Sequence, residues 1–198
     1  DNKENPYILE PTMKDYPKVQ RSWGNRLNMD RSLIVEVGAG KGDYTIALAM
    51  KYPNKNYIGI DVKGDRLWHG ATQAREAEMD NIAFVRAPVD HITDYLPPKS
   101  VDEIWITFPG PRPKKRNAKK RLTHTNFLRR YAKVLKPGGT IHLKTDSSDL
   151  YRYSLNLLKN DWRAQILASS QNLYASGIQG EPVSIQTHFE KRYLSEGK

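Results

Sequence analysis

Short apolar runs alternate with helix-like segments along most of this chain, and this alternation limits the possible folds more than any other feature. The first run spans residues 33–37, and the later ones cover residues 57–60, 82–85, 101–108 and 140–143. Runs of this length are typical of buried strands. Repeated strand–helix units form a parallel sheet that helices cover on both faces. The sequence therefore predicts one α/β domain with a mostly parallel central sheet, a class that 198 residues suit.

The segments between the apolar runs carry helix signals. One helix is predicted to begin after Asp43, and another spans residues 65–79. Residues 127–135 place apolar side chains at helical spacing and end at a Pro-Gly-Gly sequence. Residues 147–149 have the composition of a helix cap, so a further helix is predicted over residues 150–158.

Both ends of the chain carry weaker signals. Residues 1–30 are polar and show no clear periodicity, so we expect an N-terminal arm that packs loosely or contacts a partner. The main domain is then residues 31–198. A further strand is predicted within it over residues 163–168.

The first strand runs directly into a glycine-rich turn. Its sequence is Glu-Val-Gly-Ala-Gly-Lys-Gly over residues 36–42. Such a turn lets the backbone approach a nucleotide closely, because side chains there would collide with the ligand. A phosphate-binding P-loop requires Ser or Thr after its lysine, whereas Gly42 follows Lys41. A dinucleotide site requires the spacing G-x-G-x-x-G, which this turn lacks.

Two acidic residues near the turn change the kind of ligand that it suits. Glu36 lies two positions before Gly38, where a carboxylate would repel a pyrophosphate but attract a cation. Asp61 ends the second strand, where a carboxylate can bind the two hydroxyls of a ribose. S-adenosylmethionine carries an ammonium, a sulfonium and a ribose, so Glu36, Gly38, Gly40 and Asp61 predict a site for this cofactor. The alternative is a tight turn beside an ordinary surface acid.

A proline-rich basic segment follows the fourth apolar run. Its last ten residues, 112–121, contain seven Lys or Arg and no acid. The whole chain carries 32 Lys and Arg against 22 Asp and Glu, a formal charge of +10. This density of positive charge favours a nucleic acid as the partner. A solvated charge run is the alternative, but the segment leaves the carboxyl end of a strand, where parallel sheets bind ligands.

Composition excludes several other classes of function. The chain has no cysteine, so disulfides, iron–sulfur clusters and thiol nucleophiles are impossible, and its five histidines show no metal-ligand spacing. No apolar run approaches the roughly 18 residues that span a bilayer, and the first residues lack the apolar core of a signal peptide. We therefore expect a cytoplasmic protein with no metal and no membrane partner, and the sequence leaves its oligomeric state open.

Six short motifs together resemble one known family. They are residues 36–42, 58–61, 108–116, 119–122, 144–146 and 187–190. These motifs resemble those of the bacterial tRNA (guanine-N7-)-methyltransferases. The resemblance implies a single Rossmann-like domain that transfers a methyl group from S-adenosylmethionine to N7 of a guanine in the variable loop of tRNA. The glycine turn is shared by many methyltransferases, whereas the proline-basic segment and the Lys-Thr-Asp triplet are narrower signals.

The same resemblance implies roles for individual residues. Glu36 and Gly38 would hold the methionine part of the cofactor, and Asp61 would hold its ribose. The residues that would face the substrate are Lys114, Asp146, Thr187, His188, Phe189 and Glu190.

Two positions depart from the pattern of the family. Where the family carries an acid near the adenine, this chain has Pro88, with Asp90 two residues later. The family's Phe-Pro-Asp-Pro-Trp becomes Phe-Pro-Gly-Pro-Arg, so Gly110 takes the place of an aspartate at the catalytic and cofactor site, and Arg112 replaces the aromatic residue. A homologue that binds cofactor and RNA but has weakened catalysis is therefore the alternative to an active enzyme.

Guanine N7 needs no general base, because it carries a lone pair and no proton. Catalysis then requires alignment and stabilisation of the positive charge that develops on the purine. Carboxylates suit this task, and Asp146 and Glu190 are the candidates. The alternatives are that Asp146 only caps the following helix and that Glu190 only pairs with a neighbouring cation.

Two further classes of enzyme remain as competing hypotheses. Glu36 and the glycine spacing disfavour a dinucleotide oxidoreductase. A methyltransferase for small molecules would leave the basic segment without a role.

Overall fold

The computed structural model describes residues 5–160 and 164–195. The strands within this part are β1 (Ile8–Leu9), β2 (Leu33–Val37), β3 (Asn56–Asp61), β4 (Ile82–Arg86), β5 (Val101–Thr107) and β6 (Leu135–Lys144). The helices are α1 (Tyr16–Ser22), α2 (Asp43–Lys51), α3 (Gly64–Glu76), α4 (Ile92–Tyr95), α5 (Thr125–Val134), α6 (Ser148–Lys159), α7 (Glu181–Ser184) and α8 (His188–Ser195).

The strands form one sheet in which every pairing is parallel. Their order is β1-β4-β3-β2-β5-β6, so β2 has β3 on one side and β5 on the other. The direction of winding reverses at this point. Open parallel sheets bind ligands beyond the carboxyl ends of the strands at such a reversal. The predicted parallel α/β sheet is therefore confirmed, and its topology marks the ends of β2 and β5 as the place for a site.

Successive residues of each strand face opposite sides of the sheet, and each side has its own apolar core. On one side, Val35 and Ile58 pack with residues of α1, α4 and α5. On the other side, Ile34 and Tyr57 pack with residues of α2 and α3. Helices therefore cover both faces, as the alternating sequence pattern predicts.

The expectation of a loosely packed N-terminal arm is wrong for the described residues. Strand β1 pairs with β4 and extends the sheet. Tyr16, Val19 and Trp23 are buried in the same core as α4 and α5, and the Trp23 indole N–H donates to the Tyr95 carbonyl at 2.8 Å. This region lacks a sequence period because it forms several short elements, none of which buries more than two side chains.

Two boundaries in the second half of the chain also differ from the prediction. Strand β6 begins at Leu135, directly after α5, so the Pro-Gly-Gly sequence lies inside a strand. Because β6 is an edge strand, a proline without an N–H is tolerated there. The strand predicted over residues 163–168 is wrong for residues 164–168, which form no regular structure, and Arg163 lies outside the described residues.

No helix in the described part of the chain is long and apolar enough to cross a bilayer.

Candidate functional site

The glycine turn leaves the carboxyl end of β2 at the reversal point of the sheet. Gly38, Gly40 and Gly42 have φ values of +74°, +58° and +80°, in the left-handed region that favours glycine. A Cβ atom added at Gly40 would meet no atom within 4 Å. A Cβ at Gly42 would lie 2.7 Å from the Phe84 ring. Gly42 is therefore required for packing, whereas Gly40 presents bare backbone to an open space.

Strand β3 holds this turn in place. The N–H groups of Gly38 and Ala39 donate to the Ile60 carbonyl at 2.8 and 3.0 Å. The Gly40 N–H donates to one Asp61 carboxylate oxygen at 2.9 Å, and the Lys63 N–H donates to the other at 2.9 Å. The structure thus brings Asp61 and the glycines together, as the sequence predicts, and gives Asp61 a bracing contact that the sequence did not show.

Glu36 is the buried acid of the site. It alternates with Val35 and Val37 along β2, so its side chain faces the α2 side of the sheet, and the residue is only 3% exposed. The hydroxyls of Thr45 on α2 and Thr107 on β5 donate to its two carboxylate oxygens. Burial raises the pKa of Glu36 to about 7, although these two hydrogen bonds oppose the shift.

A buried carboxylate of this kind suits a cationic ligand. Within the described residues Glu36 forms no salt bridge, and the Lys144 ammonium on the same face pairs with Glu190 instead. An ammonium or sulfonium beside Glu36 would supply the missing opposite charge and favour its ionised form. The open backbone at Gly40 and the carboxylate of Asp61 lie at the same edge. These residues fit S-adenosylmethionine.

The position expected near the adenine lies at the end of β4. Pro88 is exposed there and precedes a short 3-10 turn at Val89–His91. Asp90 lies 3.9 Å from the Arg130 guanidinium of α5, an ion pair that directs this acid toward the α5 face. The structure therefore brings Pro88 to the carboxyl edge of the sheet, and it gives Asp90 a partner other than a ligand.

The proline-basic segment borders the glycine turn. It begins after β5, where the Phe108 N–H donates to the Lys144 carbonyl of β6 at 2.8 Å, and contains a 3-10 helix at Lys115–Lys120. Its far end returns to the turn, because a Cβ atom added at Gly38 would lie 3.2 Å from a methyl carbon of Leu122. The structure therefore places the end of this segment beside the glycine turn.

The cations of the segment fall into two groups. Six of the seven are exposed, and Arg121 is buried and only 9% exposed. The exposed members are Arg112, Lys114, Lys115, Arg116, Lys119 and Lys120. Six cations on one loop at the edge of the crevice form a surface suited to phosphates.

Thr187 and Glu190 have partners inside the protein. The Thr187 N–H donates to Glu190 at 3.0 Å and the Glu190 N–H donates to the Thr187 hydroxyl at 3.3 Å, a capping box that starts α8. Glu190 also accepts from the Tyr174 hydroxyl at 2.8 Å and forms a salt bridge of 2.6 Å with Lys144. Glu190 thus pairs with a cation, and among the described side chains this cation is Lys144 of β6.

The other residues predicted to face the substrate, Asp146, His188 and Phe189, lie in different parts of the structure. Asp146 is exposed just beyond β6, at the same edge as the glycine turn. It does not cap α6, because the Ser147 hydroxyl accepts the Leu150 N–H at 3.2 Å. His188 and Phe189 lie in α8, and their side chains are outside the described part of the structure.

Sequence reasoning missed three groups that shape the site. They are the hydroxyls of Thr45 and Thr107, the buried ammonium of Lys144 and the internal guanidinium of Arg121. Lys144 carried a usable signal, because it directly follows the predicted strand of residues 140–143, and ligands bind at the carboxyl ends of parallel strands. The other two depend on contacts between elements that the sequence does not show.

Comparisons with known proteins agree with this geometry. Residues 30–198 match a family model described as "Putative methyltransferase". The crystal structure of the antibiotic-resistance methyltransferase Kmr has a TM-score of 0.53 and 20% identity over 66% of this chain and 68% of that one. At this level of identity the likeness concerns the fold alone.

Two relatives match this chain over nearly their whole length. A tRNA (guanine-N(7)-)-methyltransferase of Christiangramia forsetii is 40% identical over 204 residues, covering 100% of this chain and 91% of the relative. One of Cytophaga hutchinsonii is 35% identical over 197 residues, covering 99% of this chain and 89% of the relative. The chain therefore belongs to the tRNA (guanine-N(7)-)-methyltransferase family.

Proposed function

We propose that this protein transfers a methyl group from S-adenosylmethionine to N7 of a guanine in tRNA. One observation carries the proposal. The Glu36 carboxylate is buried and has no cationic partner among the described residues. It lies beneath a glycine turn that is open at Gly40, and a loop with six exposed cations borders the same turn. The first feature suits a cationic cofactor and the second suits a polyanionic substrate. Membership of the methyltransferase family supports both assignments.

The cofactor supplies the methyl group as part of a sulfonium, and this chain supplies the contacts. We assign the ammonium to Glu36 and the close approach of the methionine part to Gly38 and Gly40. Asp61 holds the ribose, because its carboxylate lies at the end of β3 and keeps lone pairs beyond those used by the turn. We assign Pro88 to the adenine end of the crevice, because it follows the carboxyl end of β4.

Methylation of the substrate depends on alignment of the reacting atoms more than on proton transfer. The N7 lone pair bonds to the methyl carbon while the carbon–sulfur bond breaks and its electron pair stays on sulfur, so the purine becomes cationic. Asp146 is an exposed carboxylate at this edge and is assigned to stabilise that charge. Gly110 and Lys114 lie on the adjoining loop, where Lys114 can pair with a phosphate near the target base.

The partner in this proposal is tRNA, and the place of reaction is the cytoplasm. The exposed cations of residues 112–120 give the contact with phosphates. Through the family resemblance we assign four further residues to the substrate side of the crevice, namely Thr187, His188, Phe189 and Glu190. In the structure Thr187 and Glu190 anchor α8, so their effect on the substrate includes the placement of this helix.

The direct test is incubation with labelled S-adenosylmethionine and unmodified tRNA, followed by nucleoside analysis. We expect label in 7-methylguanosine. Label in another nucleoside would reject the N7 assignment, and transfer only to small molecules would reject tRNA as the substrate. Titration with NAD in place of S-adenosylmethionine tests the oxidoreductase hypothesis. We expect that NAD does not bind.

We predict that cofactor affinity depends on the ionisation of Glu36. The carboxyl is protonated below its raised pKa of about 7, and a protonated carboxyl attracts the ammonium less. Affinity should therefore rise between pH 5.5 and about 7, in proportion to the ionised fraction of Glu36. Glu36→Gln should weaken binding by about 1 to 3 kcal/mol at pH 7.5, because it removes a charge-assisted hydrogen bond.

Calorimetric titration of both proteins across this pH range measures the effect. The Gln variant also reports any titration of the ligand itself, because it keeps the shape of the side chain without its charge. Parallel pH profiles for the two proteins would contradict the assignment of Glu36 to the ammonium.

We also predict that tRNA affinity is largely electrostatic. Lys114, Lys115 and Arg116 are consecutive and exposed. Replacing all three with alanine should reduce the slope of log affinity against log salt by about 2 units, because each lost phosphate contact removes about 0.7 to 0.9 unit. Arg75→Ala is the control, since Arg75 is exposed on α3, on the opposite side of the sheet from α5. An unchanged slope in the triple variant would identify the segment as a solvated surface.

A further inference from the structure

Arg121 belongs to the basic segment in sequence but not in its contacts. Its Nε and Nη2 atoms donate to the Arg112 carbonyl at 3.2 and 3.1 Å, and Nη2 also donates to the Pro113 carbonyl at 3.4 Å. The guanidinium carbon lies 4.3 Å from the centre of the Tyr153 ring on α6. The guanidinium is therefore engaged within the protein, between the start of the segment and a helix.

The carbonyls that Arg121 binds belong to a strained part of the loop. Arg112 has φ +47°, a left-handed conformation that costs a non-glycine residue energy and persists only where its surroundings enforce it. The hydrogen bonds from Arg121 close the loop at this residue, two positions after Gly110. The planar guanidinium can bind one carbonyl through two N–H groups while stacking on a ring, which an ammonium cannot do.

The residues that follow Arg121 fix the other end of the loop. Leu122 packs against Gly38 in the glycine turn. The Thr123 hydroxyl accepts a hydrogen bond of 2.8 Å from the Ser154 hydroxyl on α6. Arg121 thus lies between a loop that carries Gly110 and Lys114 and two rigid supports, which are the glycine turn and α6.

We propose that Arg121 is a positioning residue for methyl transfer, which clamps the loop of residues 110–120 against α6 and so fixes Gly110 and Lys114 beside the cofactor crevice. Its effect on catalysis rests on the proposed function. Its guanidinium is engaged by two backbone carbonyls and the Tyr153 ring, so it acts on alignment and not on the electrostatic attraction of tRNA. The other six cations of the segment act on the electrostatic attraction of tRNA and not on alignment.

The test separates an effect on the alignment of the reacting groups from an effect on the electrostatic attraction of tRNA. Arg121→Met should lower the single-turnover rate at saturating tRNA and cofactor by about tenfold to a hundredfold, the range expected when reacting groups are displaced by about 1 Å. The slope of log tRNA affinity against log salt should stay at its wild-type value. Lys120→Met should show a reduced salt slope, because Lys120 is exposed on the same loop.

Conservative and distant variants make the test specific. Arg121→Lys keeps the charge but loses the paired hydrogen bonds, so it should resemble Arg121→Met in rate. Arg152→Met is the matched control, because Arg152 is exposed on the same helix as Tyr153 and, among the described side chains, forms an ion pair only with Asp149 at 2.7 Å. This control should keep the wild-type single-turnover rate and the wild-type slope of log tRNA affinity against log salt.

Two results would overturn the proposal. One is a wild-type rate in Arg121→Lys together with a reduced salt slope in Arg121→Met, which would identify Arg121 as a phosphate contact. The other is an unchanged rate in Arg121→Met. Should that variant fail to fold, Tyr153→Leu removes the stacking surface alone and should lower the rate in the same direction.

A measurement without tRNA distinguishes this proposal from the proposed function. Amide hydrogen exchange at Asn117 and Arg121, whose N–H groups donate to Lys114 and Ala118 at 2.9 and 3.1 Å, reports the order of the loop. Exchange should accelerate in Arg121→Met and not in Arg152→Met. If the wild-type protein methylates no tRNA, the proposed function fails, whereas unchanged exchange means that the clamp fails.

Discussion

Replacing Lys144 with methionine should destabilise the protein by about 3 to 5 kcal/mol. The Lys144 and Glu190 side chains are 5% and 8% exposed, and their charged atoms lie 2.6 Å apart. The ammonium also donates to the Ile185 carbonyl at 3.0 Å. Burial lowers the pKa of Lys144, and Glu190 offsets this shift only in part. Without the ammonium, the Glu190 carboxylate would remain buried without an opposite charge, which is the costly outcome.

Equilibrium urea denaturation of single and double variants measures this effect. Lys144→Met combined with Glu190→Gln should recover much of the loss, because glutamine is neutral and its oxygen can still accept hydrogen bonds from Tyr174 or Thr187. Arg152→Met breaks an exposed pair with Asp149 and should change stability by no more than about 0.5 kcal/mol. A loss below about 1 kcal/mol in Lys144→Met would contradict the description of a tightly coupled buried pair.

The parallel sheet was predictable because its strands are short apolar runs whose pattern depends on local sequence alone. Each of the five predicted runs from Leu33 onward corresponds to a strand, although β6 begins earlier than its run. Strand β1 was not predictable, because it is two residues long and is defined by its pairing with β4. Burial of Trp23 likewise depends on α4, which lies far from it along the chain.

The residues of the site likewise fall into those that the sequence predicts and those that only the fold reveals. Glu36, the glycines and Asp61 could be identified because each occupies a fixed place in one strand–turn–helix unit, and the structure brings them together. The partner of Glu190 could not be identified, because Lys144 lies on another element and only the fold places the two side chains in contact. Arg121 resembles its neighbours in sequence, and only the course of the loop turns its guanidinium inward.

Gly110 is the position where this chain lacks the carboxylate of the family it resembles. Its φ is not in the left-handed region that favours glycine, so other residues can adopt this backbone. A Cβ atom there would have one near neighbour, the Arg112 Nε at 3.8 Å. The loop therefore has room for an aspartate, and its carboxylate would lie within reach of the Arg112 guanidinium.

Gly110→Asp should raise the single-turnover rate of guanine methylation about tenfold or more. A preorganised charge that stabilises the transition state is typically worth about 2.7 to 4 kcal/mol, and the developing purinium is the charge to be stabilised here. Pairing with Arg112 would neutralise part of the new charge, so Gly110→Asp with Arg112→Ala should be faster still at saturating tRNA. Gly110→Asn is the matched control, because it removes the same backbone freedom without adding charge. Equal rates for the Asp and Asn variants and the wild type would show that Asp146 already supplies the negative charge and that Gly110 has no part in the chemistry.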